Sequence, residues 1–281
     1  MTERVGQFPK WMGGSPLRGG TSVHIIIIQE LRKAYLDFWF RIAAIFVLAY
    51  AVVYLGNLYT LQQVRGDSVH TLANYMTFLE NLRWGALAVG AVMAGPALLD
   101  DTSKGALELY LTRAVSMKEY LAGKITAVFL ATFLALWIPG ILYWLMGFVF
   151  FDQQPAVWAL LPLRTAVYAL IWALVVAGLG LGLSCVAKSG RGATMILFGS
   201  FAVLDIVIGN LIAGITKDRN FELLSPFKAM DSQVGWMFGA AVDTVFPSWW
   251  GLATVLGLVI VGWTLMAWKH PRVRGDVAGN R

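Results

Sequence analysis

Charge is what this sequence has least of. Asp, Glu, Lys and Arg make up 14% of its 281 residues, where a soluble domain carries about 25%. A chain so poor in charge cannot cover its own folded surface in water, and its mean hydropathy of +0.66 points the same way. Cysteine is almost missing: Cys185 stands alone, which excludes an internal disulfide and a cysteine metal cluster. It is expected to be a small packed residue near a helix end. Histidine is sparse too. His24, His70 and His270 share no helix face, so they imply no metal site. No phosphate-cradling loop is present, because the Gly-Lys pair of "LAGKIT" lacks the upstream glycine and the following Ser or Thr that a nucleotide loop needs. Nor is there a Ser-His-Asp or paired-carboxylate constellation. The first 20 residues are charged and lack the apolar core of a signal peptide; they are expected to form a flexible tail.

What the chain does have is long apolar runs. A helix needs about 20 apolar residues to cross the hydrocarbon core of a bilayer. Residues 42–64, 125–151, 165–187 and 248–268 meet that length without a single Asp, Glu, Lys or Arg. Two further spans carry charges. One holds Glu80 and Arg83 near one end, where they read as an i,i+3 pair at the membrane rim; the other holds Asp205. Backbone groups in lipid must be satisfied within the segment, so such runs mean helices. The fold class is therefore an all-α integral membrane protein. Its six transmembrane helices are expected near 41–59, 77–99, 120–150, 164–187, 193–215 and 248–268. Pro139-Gly140 should kink the third.

Direction follows from the basic residues. With both termini cytoplasmic, 16 of the 22 Lys and Arg fall on the inner side, as the positive-inside rule requires. This bias accounts for most of the pI of about 9.5 and is no argument for nucleic-acid binding. It places the segment "DDTSKGALELYLTRAVSMKEYLAGK", residues 100–124, in the cytoplasm.

Three segments outside the spans carry pattern. In 22–40, Glu30, Lys33, Asp37 and Arg41 line one helix face, while Ile27, Ile28, Leu31, Tyr35 and Phe38 cover another, as in a helix lying in the membrane interface. Between the fifth and sixth spans, residues 216–247 are semi-apolar and should form short helices at the outer leaflet, partly re-entrant. In 100–124, Asp100, Asp101, Thr102 and Ser103 offer N-caps, and Leu107, Tyr110 and Leu111 share a face beside Lys104 and Glu108. Periodicity alone makes this a short amphipathic helix, equally suited to anchoring a loop and to docking a partner. The alternating glycines of "GLGLGLS" at 178–184 read as close helix packing. Asp205 resists a bland reading, since an ionisable group at mid-span is costly and normally faces a bundle interior or a water-filled path. Asn210 loosely shares its face. Both a role in a substrate path and structural hydrogen bonding between helices are open to Asp205.

Residues 100–124 resemble the cytoplasmic loop of ABC (ATP-binding cassette) transporter permeases of the type-2 exporter family. The resemblance rests on the acidic start and on Gly105, Leu107, Glu108, Leu109, Leu111, Arg113, Ser116, Tyr120, Leu121, Gly123 and Lys124. Ala114 stands where that family usually has a proline, and Met117 where a basic residue is frequent. The resemblance implies that the loop is a coupling helix docking into a separate ATPase subunit, with Lys104, Leu107, Glu108, Tyr110, Leu111 and Arg113 at the contact. It implies a permease that performs no bond chemistry and binds no cofactor, with ATP and Mg on the partner. It further implies two ATPase subunits, a second permease chain (identical or sister), and alternating access in the plasma membrane. The second and fifth spans would lie near the central interface, which would put Asp205 and Asn210 close to the substrate path. The expected organisation is a tail at 1–21, one transmembrane domain at 22–268 with an interfacial helix at 22–40, a coupling loop at 100–119 and an outer segment at 216–247, and a cytoplasmic tail at 269–281. The alternative from another class is a membrane-embedded scaffold or enzyme subunit without its own nucleotide site. A passive channel fits less well, because the spans lack the repeated polar positions that line a pore. An ATP-driven importer differs only in direction.

Overall fold

The computed structural model describes residues 19–65, 71–103, 116–150, 159–217, 222, 225–238 and 247–279, and these are helical nearly throughout. The helices are α1 (Gly19–Leu36), α2 (Phe38–Arg65), α3 (Leu72–Ser103), α4 (Met117–Phe150), α5 (Leu161–Val186), α6 (Gly190–Ala202), a π-helical stretch (Val203–Ile212), α7 (Ala213–Thr216), α8 (Pro226–Phe238) and α9 (Ser248–Gly279). Six segments are long and apolar enough to cross a membrane: Phe38–Val64, Leu72–Asp101, Met117–Phe148, Leu161–Val186, Gly190–Thr216 and Trp249–Trp268. The all-α membrane fold expected from the apolar runs is the fold observed.

The spans do not contribute equally to the interior. The second and fourth are buried over 72% and 67% of their most apolar window, against 17–24% for the first, fifth and sixth. So α3 and α5 form the centre, and α2, α6–α7 and α9 turn large apolar faces outward, toward lipid or another chain. The second span begins about five residues earlier than expected, at Leu72, which sets Glu80 and Arg83 deeper inside α3. Pro139 stays within α4, which runs on through it.

The glycines of 178–184 pack as expected. A Cβ on Gly262 of α9 would sit 2.4 Å from the backbone of Gly178 in α5, and one on Gly182 would sit 2.6 Å from the carbonyl oxygen of Gly262. Only bare backbone permits that approach, so the α5–α9 contact is a van der Waals seam of the kind that joins helices where no hydrophobic effect drives them together.

The interfacial helix differs from its expected form. α1 ends at Leu36, and α2 starts at Phe38 under the Asp37 side chain, which accepts from the Phe40 amide at 3.0 Å. The face of α1 turned inward is Ile26, Glu30 and Ala34, while Ile28, Tyr35 and Leu36 are exposed. Glu30, expected on the polar outer face, is thus inside. Within the outer segment the described helix α8 is buried on most sides, Phe227, Met230, Asp231, Val234 and Phe238 included.

Candidate functional site

The segment 104–115 lies outside the described residues, and with it Lys104, Leu107, Glu108, Tyr110, Leu111 and Arg113. Its two feet are described, and they meet in one buried network. α3 brings Asp101 down to the loop; α4 brings Tyr120 and Lys124 back from it. The Lys124 side chain is 1% exposed, which only close pairing can sustain for an ammonium. Its Nζ lies 2.7 Å from Asp101 Oδ2 and 2.8 Å from Glu30 Oε1. It also donates to the Ala97 carbonyl oxygen at 2.8 Å. Tyr120 donates its hydroxyl to Asp101 Oδ2 at 2.9 Å. From α1, Lys33 Nζ donates to Glu30 Oε1 at 2.9 Å and to Asp101 Oδ1 at 3.2 Å. Burial works against the Lys33 charge, but the hydrogen bond and charge of Glu30, then those of Asp101, outweigh it and raise the lysine above its ordinary pKa.

Two carboxylates and two ammoniums therefore tie three helices together at the point where the loop leaves and returns. Gly123 lets α1 come this close: a Cβ there would sit 2.7 Å from Ile26 Cγ2. At the returning foot, Ser116 and Glu119 form a capping box. The Glu119 amide donates to Ser116 Oγ at 3.3 Å, and the Ser116 amide donates to Glu119 Oε2 at 2.9 Å. The sequence pattern Ser116-x-x-Glu119 could have announced this start. The closing Tyr120-Leu-x-Gly123-Lys124 thus acquires a local physical meaning, with a hydroxyl, a gap and a cation each fitted to α1 or α3. Beside the network a cleft of about 460 Å³ opens between α1, the start of α2 and α3, with Asp37, Phe40, Val92, Pro96 and Asp100 in its walls.

The opposite end of the bundle holds a second buried ion pair. Arg83 of α3 is 6% exposed. Its Nη1 donates to Asp231 Oδ1 in a short contact and to the Phe227 carbonyl oxygen at 3.0 Å, and its Nη2 reaches Asp231 Oδ2 at 3.3 Å. The guanidinium also lies 4.5 Å from the centre of the Phe227 ring. Arg83 therefore pairs across space with α8, a partner the i,i+3 reading toward Glu80 did not supply. α8 is held at both ends as well. Arg164 of α5 donates to the Phe238 carbonyl oxygen at 3.3 Å. At the α8 N-terminus, Ser225 Oγ accepts from the Lys228 amide at 3.2 Å as an N-cap and donates to Asp205 Oδ1 at 2.5 Å.

Asp205 is 8% exposed and sits in the π-helical stretch, a geometry frequent at functional sites. Asn210 turns back on the same turn, its Nδ2 donating to the Asp205 carbonyl oxygen at 2.8 Å. So the structure does join Asp205 and Asn210, through backbone, and gives the Asp205 carboxylate a partner outside its own span. Sequence alone supplied no signal for Ser225, Asp231 or Glu30 as partners, because each lies on a segment whose docking the spans do not dictate.

A family model described as ABC-2 family transporter protein matches residues 24–269. No curated protein matches the chain. The matched stretch runs from the second turn of α1 to the last helix, taking in both ion-pair networks and every candidate membrane span, and on that match the chain belongs to the ABC-2 transporter family, the membrane permease subunits of ABC transporters.

Proposed function

We propose that this permease works as an exporter subunit, driven by ATP that a separate ATPase subunit binds and hydrolyses, with the loop between α3 and α4 as the docking element. The observation that carries the reading is the anchoring of that loop. A loop that merely reverses the chain needs no fixed feet, whereas one that transmits force must be rigidly joined to the helices it moves. Lys124, Asp101, Glu30 and Tyr120 supply that joint. On the loop, Leu107, Tyr110 and Leu111 enter a groove of the ATPase as an amphipathic helix does, and Lys104, Glu108 and Arg113 meet its rim.

Two permease chains, identical or sister, bind two ATPase subunits in the plasma membrane, with both termini and the loop in the cytoplasm. Closure of the ATPase dimer pushes the loops, the spans tilt, and a path between the chains changes its exposure. α3 is suited to carry that motion. It is the most buried span and holds two fixed joints, Asp101 at its loop end and Arg83 about three turns in from its start. Eighteen residues of helix separate them, roughly 27 Å. Displacement at the loop therefore reaches α8. Asp205 and Asn210 belong to the wall of the substrate path, Asp205 through its hold on the N-terminus of α8. ATP and Mg reside on the partner, and this chain contributes no bond chemistry.

Copurification tests the reading. The chain is expected to bring an ATPase subunit with it, and the double change Leu107→Asp/Leu111→Asp is expected to abolish that association while leaving the chain folded in detergent. Association that survives the double change rules the docking role out.

A further inference from the structure

The cleft between α1, the start of α2 and the end of α3 has two ends of opposite character. At one end stand four carboxylates, those of Glu30, Asp37, Asp100 and Asp101. Lys33 is the cation in its walls, and Lys124 lies behind them against Glu30 and Asp101. Four negative charges against two positive leave a formal charge of −2. The other end is apolar, walled by Phe40, Val92, Met93 and Pro96. Phe38 opens the first span and Asp101 closes the second. The acids therefore sit where hydrocarbon gives way to headgroups, and the apolar wall of α3 reaches about two turns further into the bilayer. A volume of about 460 Å³ is on the scale of a small-molecule site.

The walls narrow the choice of occupant. An excess of carboxylate calls for a cation. Among the described residues no three acidic, His or Cys side chains are placed to hold one metal ion, so a bare divalent ion does not fit. A quaternary ammonium is held by a cage of aromatic faces, and Phe40 is the single ring in these walls. Carboxylates are acceptors and are satisfied by N–H donors. An ammonium that keeps its own hydrogens, carried on an apolar body, matches both ends of the cleft. We infer that this cleft binds an amphipathic amine drawn from the leaflet on the loop side, either a free molecule or the headgroup of an aminophospholipid. The ammonium lies by Asp37 and Asp100, and the body lies along Phe40, Val92 and Met93. Glu30 and Asp101, held by Lys33 and Lys124, contribute field rather than contact. The site stands apart from the docking role proposed for 104–115 and needs no ATPase subunit.

Dansylcadaverine, a fluorescent primary amine on an apolar ring system, probes the site. The full chain is held in phosphatidylcholine nanodiscs, and the signal of empty nanodiscs is subtracted. The uncharged N-acetyl form of the probe is the control. Saturable binding of the amine is expected, at least about tenfold tighter than that of the acetyl form, the scale of one charge-assisted hydrogen bond. Asp37→Asn/Asp100→Asn removes two charges and keeps side-chain acceptors, the cap on the Phe40 amide included. It is expected to weaken the amine by a similar factor and to leave the acetyl form unmoved. Val92→Phe fills the apolar end and is expected to weaken both forms. Neither variant alters the Lys124 network, so a native Tm is expected of each. Nanodiscs that contain phosphatidylethanolamine distinguish the two sources: loss of dansylcadaverine affinity there assigns the site to the lipid headgroup, and unchanged affinity assigns it to a free amine. Unsaturable binding overturns the site, as does equal affinity for the amine and acetyl forms, or native affinity in Asp37→Asn/Asp100→Asn. If that variant melts early, Val92→Phe decides, and native affinity there overturns the site.

Discussion

Lys124 and Asp101 face each other at 2.7 Å across the two feet of one loop, the lysine on the returning helix and the aspartate on the departing one. The pair is closed off from solvent and is shared with Glu30 of α1. Its geometry makes a definite statement about stability. Lys124→Met alone leaves Asp101 and Glu30 to the single, half-exposed Lys33. Stranding buried carboxylates in this way costs about 3 kcal/mol. Glu30→Met/Lys124→Met is expected to cost less than Lys124→Met alone. Thermal unfolding of the purified chain checks both, and equal Tm values for the single and double variants would contradict the pairing.

Glycine seams give a contrast within one helix. Gly262→Ala places a methyl against the backbone of Gly178, which cannot yield without shifting α9. A loss of about 2 kcal/mol is expected, as for other overpacked contacts. Gly257 has nothing within 4 Å of its would-be Cβ. Gly257→Ala is expected to leave stability unchanged or to raise it by about 0.5 kcal/mol, since alanine is the better helix former. The two changes lie less than two turns apart, and thermal melts of both in the same lipid decide the matter.

At the other end, Arg83→Met strands Asp231 and frees the carbonyl oxygen of Phe227. The expected result is release of α8, visible as faster amide exchange over Pro226–Phe238 with little change in α5. A global loss of protection would place the defect elsewhere in the bundle.

Asp205 is tested by chemistry rather than by size. Asp205→Asn keeps an acceptor for Ser225 and should preserve assembly and the N-cap of α8. On the proposed path role, it alters ATPase activity stimulated by substrate, and unaltered transport would remove Asp205 from the path. Asp205→Leu removes the acceptor and is expected to loosen the first turn of α8 by about 1 kcal/mol, the worth of a cap.

The spans were legible because length and lack of charge decide them, and α2, α4, α5 and α9 coincide with apolar runs. The glycine seam was legible for a similar reason, small residues inside a span having few other uses. Arg83 reads from sequence as a membrane-rim residue paired with Glu80, because nothing in the pattern of its own span shows that α8 brings Asp231 to it. Glu30 was assigned to a polar face because periodicity records only the pattern of one helix, and the cation that draws it inward lies on α4. Asp205 declared its burial through its depth in an apolar run, but its partner Ser225 belongs to a segment whose insertion follows from packing, not from pattern. The docking residues of 104–115 remain carried by resemblance and by the form of the loop's feet.

Amide exchange of residues 104–115 with and without the bound ATPase subunit tests the central claim most directly. Docking through Leu107, Glu108, Tyr110 and Leu111 predicts that this segment gains at least about tenfold protection on binding, an opening free energy raised by a little over 1 kcal/mol. Binding of the subunit with exchange unchanged over 104–115 would contradict it.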